Sequence, residues 1–167
     1  MARVQSMFEQ QQDVRDGLAA QVADLARARE LTVAVAESLT GGMVSTPLAA
    51  AEAASEWFRG SLVAYSSKVK HEVLDVPAGP VVSAAAASAM ARGVRRLLRA
   101  DVAVAVTGAG GPEGQDGQEP GTVFLAVDDG ADQRVQRLDL DGDDPAAVCE
   151  AAAEAALKLL AEQLRGA

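Results

Sequence analysis

The chain has 167 residues, 49% of them hydrophobic and 23% charged, which suits one domain with a sizeable core. Its net charge of −9 argues against a broad nucleic-acid footprint, which needs a basic face. A single cysteine and a single histidine exclude an internal disulfide and fall short of the several such ligands that zinc takes, so no metal and no cofactor is expected. The lone Cys149 fits a reducing compartment. The N-terminus shows no signal-peptide pattern, and no apolar run is long enough to span a bilayer. A cytoplasmic protein without a membrane partner is the expectation.

In chain order, Met1 to about Gln12 is polar and is expected to fray. Apolar residues at helical spacing then predict a helix over Asp13–Glu30, carried by Val14, Leu18, Val22, Leu25 and Ala26. An apolar, β-branched run predicts a buried strand over Thr32–Ala36. The next helix is expected near Gly42, but Pro47 demands a kink or a later start. Ser61–Tyr65 reads as a second strand and Ser66–Leu74 as a short helix, closed by the turn residues around Pro77. Ser83 can cap a longer helix to about Arg99. Asp101–Thr107, apolar on both faces, reads as a central strand. Gly108–Gly121 is a glycine-rich loop. Thr122–Val127 and Gln133–Leu140 read as a hairpin, and Pro145 opens a last helix that runs to about Leu164. Together these predict a single-domain, three-layer α/β/α sandwich over residues 1–167 with a mixed, mainly parallel sheet. The first and last helices can pack on their own sheet or across a homo-oligomer.

Reactive side chains collect where strands end: Ser38 and Thr40, Tyr65 and Ser66, Lys68 and Lys70, and Thr107. In α/β sheets, sites form at the carboxyl ends of parallel strands. The strand-to-helix turn Glu37-Ser-Leu-Thr-Gly-Gly42 would place Ser38 among unpaired backbone N–H groups, where it could meet a developing oxyanion. The plainer alternative is that Ser38 or Thr40 caps a helix. A nucleophilic serine needs a base. His71 lies between Lys70 and Glu72 on an expected surface helix, so a serine–lysine pair fits better than a serine–histidine one. A lysine desolvated beside a serine can accept its proton. Either Lys68 or Lys70 could serve, and both could equally be solvated surface charges. The loop Gly108-Ala-Gly-Gly-Pro-Glu-Gly114 could bring backbone close to a phosphate or ribose. It matches no dinucleotide or Walker pattern, and a hairpin-like loop is the competing description.

These stretches resemble the CinA C-terminal family, whose characterised members are nicotinamide mononucleotide amidohydrolases. The similar segments are Ala36–Gly42, Gly60–Ser66 with Lys70, Val82-Ser83 with Ala89–Ala91 and Gly93, Ala100–Gly108, Gly111-Pro112 and Pro120–Val123. They cover about Glu30 to Leu160 in the family's order. The resemblance implies metal-independent hydrolysis of a linear amide, converting nicotinamide mononucleotide to nicotinic acid mononucleotide and ammonia. It implies Ser38 as nucleophile, Tyr65 and Lys70 as its activators, and Thr107 in the catalytic set. Glu37, Thr40, Gly41, Gly42, Ser66, Gly108 and Gly111 would bind the small nucleotide substrate, with backbone N–H groups near Thr40–Gly42 holding the oxyanion. The chain resembles the family's stand-alone form, without an N-terminal molybdopterin-binding-like domain.

Three departures bear on the substrate. The family often carries an arginine before the last helix and a further basic residue a turn later, where this chain has Gly142-Asp-Asp-Pro145 and Cys149. Asp143 and Asp144 would repel a phosphate if they pointed inward. The lysine usual before Pro-Val-Gly-Thr is missing from Gln118-Glu-Pro-Gly121, and the alanine usual before Gly-Pro is Gly110. Arg59, Lys68 or a neighbouring subunit could supply the charge. The alternatives are therefore an amidase of another amide, or a non-catalytic nucleotide-binding or regulatory homologue.

Overall fold

The computed structural model describes residues 2–167, with side chains from residue 9 onward. The elements run α1 (Ala2–Ala28), β1 (Val33–Glu37), α2 (Ser45–Ala50), α3 (Ala54–Trp57), β2 (Phe58–Val63), α4 (Ser67–Leu74), α5 (Ala84–Leu97), β3 (Val102–Gly108), β4 (Thr122–Asp128), β5 (Gln133–Asp139) and α6 (Pro145–Gly166). The strands form one sheet in the order β2-β1-β3-β4-β5. β1 pairs parallel with β2 and β3, while β4 is antiparallel to both β3 and β5. Four strands thus share a direction and β4 opposes them. The sheet is mixed, as expected of this α/β sandwich, but two of its four pairings are parallel and two antiparallel, so it is not mainly parallel.

The strand sequences sort themselves by face, because side chains alternate along a strand. Val33, Val35, Val102, Val104 and Val106 share a cluster with Ala19, Val22, Ala23 and Ala26 of α1 and with Ala153, Leu157 and Leu160 of α6. The intervening Ala34, Ala36, Ala103 and Ala105 share the opposite cluster with Ala87, Met90, Ala91 and Val94 of α5. Each fully buried valine contributes roughly 1.5–3 kcal/mol, and the alanine face admits α5 closely. Gly93 continues that close packing into α4. A Cβ on Gly93 would sit 2.3 Å from the carbonyl oxygen of Leu74. Gly93→Ala is therefore expected to cost about 2 kcal/mol by overpacking, read as a lower urea midpoint; an unmoved midpoint would mean that α4 shifts away freely.

Several boundaries differ from expectation. α1 begins already at Ala2, because the polar residues before Asp13 are mostly good helix formers and include neither Gly nor Pro. Of the segment expected to fray, Met1 lies outside the described residues. β2 starts at Phe58, not Ser61. Val33 pairs with Phe58 and Ala34 with Gly60, so Arg59 is an extra residue and Gly60, at φ +121°, sits in a bulge rather than before the strand. The later start at Pro47 is realised, with α2 opening at Ser45. The single turn α3 had no signal in the periodicity. β5 is an edge strand, and its charged side chains Arg134, Arg137 (over the Phe124 ring at 5.7 Å) and Asp139 discourage pairing with another chain. No helix among the described residues is long and apolar enough to cross a membrane.

Candidate active site

The chain passes from β1 to β2 on one side, then crosses over to β3 on the other. The carboxyl ends of β1 and β3 therefore form the crevice where the strand order reverses, the usual location of a ligand in such sheets. Ser38 follows β1 directly. Ala36 is paired with Ala105, so continuing the register sets Ser38 beside Thr107, on the alanine face. A cavity of about 320 Å3 opens there, at the lower end of the range for small-molecule sites. Ser38, Tyr65, Lys70 and Thr107, drawn from three separate stretches of chain, all line it, as do Gly108 and Gly111.

The turn that presents Ser38 is built on Glu37. This side chain is fully buried, yet its carboxylate is saturated. Oε1 accepts from the N–H groups of Gly42 (3.2 Å) and Val44 (2.9 Å), and Oε2 from the N–H of Ser45 (3.0 Å) and from the Ser45 hydroxyl. A buried carboxylate is tolerable only when so bonded. Glu37 is thus the scaffold of the turn and does not line the cavity. The expected oxyanion donors also need correction. The Gly42 N–H belongs to Glu37, and the Gly41 N–H donates to the Ser38 carbonyl at 3.1 Å. Gly41 and Gly42 instead line a separate cavity beside Arg15 and Met43. Thr40 is buried, and its Oγ1 has no hydrogen-bond partner; it does not line the Ser38 cavity. Leu39, Gly110 and Gly111 do line it, and their N–H groups donate to no protein acceptor among the described residues.

Lys70 is 2% exposed. Its Nζ donates to the carbonyl of Tyr65 at 3.2 Å, and burial lowers its pKa, opposed by the negative charge of Asp116. A lowered amine pKa is what a lysine base requires. No hydrogen bond joins Lys70 Nζ to the Ser38 hydroxyl; its one side-chain bond among the described residues is to Tyr65. The link between Lys70 and Tyr65 runs through the tyrosine backbone; its ring is 73% exposed at the cavity wall. Ser66 does not line the cavity. Its hydroxyl caps α4 by accepting from the Lys68 N–H at 3.2 Å, which fixes the turn from which Lys70 projects. The Thr107 hydroxyl donates to the Val81 carbonyl at 2.6 Å, so it holds the wall of the cavity. Lys68 and Arg59 do not line the cavity.

The departures near α6 have a structural counterpart. Asp144 caps that helix, accepting from the N–H groups of Ala146 and Ala147, and neither it nor Asp143 lines the cavity. Pro145 and Cys149 do. The Cys149 thiol donates to the Leu39 carbonyl at 3.2 Å, and burial, with the charge of Glu150, pushes its pKa up. It is a packing residue rather than a rival nucleophile. Gly110 leaves room for the alanine usual in the family, since a Cβ there would meet Leu39 at an ordinary 3.6 Å. Among the described residues, no three His, Cys, Asp or Glu side chains cluster as metal ligands.

A three-layer α/β domain with a serine and a buried lysine at its switch point is the class that fold and cavity define. Residues 15–164 match the CinA C-terminal domain, and the chain belongs to that family. It is 45% identical over 118 residues to a CinA-like protein of Synechococcus sp. (strain RCC307), covering 67% of this chain and 28% of that one. The competence-damaged protein (CinA) superfamily protein of Klebsiella pneumoniae 700603 superposes with a TM-score of 0.86 at 33% identity, over 92% of this chain and 99% of that one. The corresponding Escherichia coli protein gives 0.84 at 31% identity, over 89% and 90%. The chain spans only about three tenths of the length of the curated relatives it matches.

Proposed function

We propose that the chain is a serine–lysine amidohydrolase that converts nicotinamide mononucleotide to nicotinic acid mononucleotide and ammonia. The observation that carries this reading is the burial of Lys70 in the cavity that Ser38 lines, with its amine pKa lowered. In the mechanism, Ser38 Oγ attacks the carboxamide carbon while neutral Lys70 takes the hydroxyl proton. The N–H of Leu39, next to the nucleophile, and that of Gly110 would meet the oxyanion. Lys70 then hands the proton to the departing nitrogen, which leaves as ammonia, and water cleaves the acyl–serine ester with Lys70 again as base. The exposed Tyr65 ring at the wall would contact the substrate.

A second reading, an amidase of an unphosphorylated amide, rests on charge. Lys70, the proposed base, is the one Lys, Arg or His among the residues lining the cavity, so no separate cation is left for a phosphate, and Glu113 lines it as well. The test is ammonia release by the purified protein, without added metal, from nicotinamide mononucleotide, nicotinamide riboside and nicotinamide. The expected result is release from the mononucleotide. Faster release from the riboside would favour the second reading, and silence on all three would leave the non-catalytic homologue.

A further inference from the structure

The glycine-rich loop carries a carboxylate that bonds to the backbone before α5. Gln115 and Gln118 exchange both backbone hydrogen bonds across Asp116-Gly117. Both central residues have positive φ, +54° and +76°, as a type I′ turn requires. Aspartate is among the few side chains that accept this conformation. From that turn, Asp116 Oδ2 accepts from the N–H groups of Val81 (2.8 Å) and Val82 (2.9 Å), more than thirty residues away in sequence. Those N–H groups lie just before α5, outside any helix ladder. The carbonyl of the same Val81 accepts from Thr107. The Val81 backbone is therefore held on one side by the end of β3 and on the other by the loop. Both valines are buried and line the Ser38 cavity.

We propose that Asp116 is a positioning residue for the reaction proposed above: it clamps the glycine-rich loop onto Val81–Val82, closing one wall of the Ser38 cavity, and keeps a negative charge near Lys70. The inference rests on the amidohydrolase reading. Tyr65, Glu113 and Cys149 line the cavity with Lys70, Asp116 stands in the loop, and Lys68, His71 and Glu72 share its helix at spacings that do not face it. Of these, Asp116 is the one whose charge acts on the amine, against the effect of burial. Its loss therefore makes protonated Lys70 less favourable, so the neutral base persists to lower pH.

Two variants separate the charge from the clamp. Asp116→Asn keeps an acceptor oxygen for Val81 and Val82 but removes the charge, whereas Asp116→Ala removes both. In both variants the Lys70 13Cε resonance, assigned by its disappearance in Lys70→Arg, is expected to titrate at lower pH than in the parent. The acid limb of kcat/KM is expected to move with it. Asp116→Ala alone is expected also to raise KM, by about tenfold, through the misplaced wall. A uniform loss of activity at all pH values with an unmoved limb would indicate a merely structural role and overturn the proposal. So would a Lys70 that titrates in Asp116→Asn as it does in the parent. Because the resonance needs no turnover, a shifted Lys70 in a protein that hydrolyses none of the amides supports the hold of Asp116 on Lys70 and overturns the amidohydrolase reading instead.

Discussion

Lys70→Met and Ser38→Ala are each expected to lower ammonia release by about 10³-fold or more, and the double variant to be no worse than either single one, as for groups acting as a unit. The two differ in stability. Burial lowers the Lys70 pKa in the folded chain, so between the folded and unfolded values the unfolded chain binds more protons. Stability therefore rises with pH across that interval, and the cost of burying the charged amine is present in full below the folded value. Lys70→Met keeps the buried aliphatic stem and removes that cost. Its Tm at neutral pH is expected to equal or exceed that of the parent, and its stability to be less dependent on alkaline pH. Ser38→Ala should leave that pH dependence unchanged. A Lys70→Met protein that is destabilised, or that retains activity, would show that the amine serves the fold rather than the chemistry.

The second large effect concerns stability. Glu37→Ala would strand the N–H groups of Gly42, Val44 and Ser45 and the Ser45 hydroxyl around an empty site. With buried donors costing 1–3 kcal/mol each when unmet, the loss is expected to be about 3 kcal/mol or more. Glu37→Gln keeps one acceptor oxygen but turns its NH2 toward donors, for an expected loss of about 2 kcal/mol. Urea unfolding measures both. Because Ser38 is the next residue, activity should fall in the surviving folded protein even though Glu37 does not line the cavity. A loss below 1 kcal/mol for Glu37→Ala would mean that water replaces the carboxylate without strain.

Much of the frame was legible because it depends on side-chain type at fixed spacing. The Val-Ala alternation of β1 and β3, the serine at Ser83 and the Asp144-Pro145 start of α6 each point to one local structure. What escaped depends on partners. Ser66 and Glu37 have the polar groups a ligand site needs, but the backbone next to them takes those groups first. The bulge at Arg59 moved the start of β2 because a glycine can sit inside a strand as well as before it. Asp116 sits in a loop whose glycines are the stronger signal. The Asp-Gly pair was the available signal for a tight turn, but nothing local reveals that the turn aims at Val81. The site was thus readable as a set of residues at strand ends, and unreadable as a wiring of hydrogen bonds.

The sorting of valine and alanine by face has a consequence for how the site is kept true. A slip of one residue in β1 or β3 inverts every side chain. The valines would be driven into the narrow space under α5 while the alanines left voids under α1 and α6, so overpacking and cavities would arise together. Either error alone is felt in a close-packed interior. Ser38 and Thr107 stand at the ends of these two strands, and the same misthreading would turn both away from the cavity. The sheet therefore acts as an alignment gauge: a chain that packs its core has, by that fact, brought Ser38 to the cavity side.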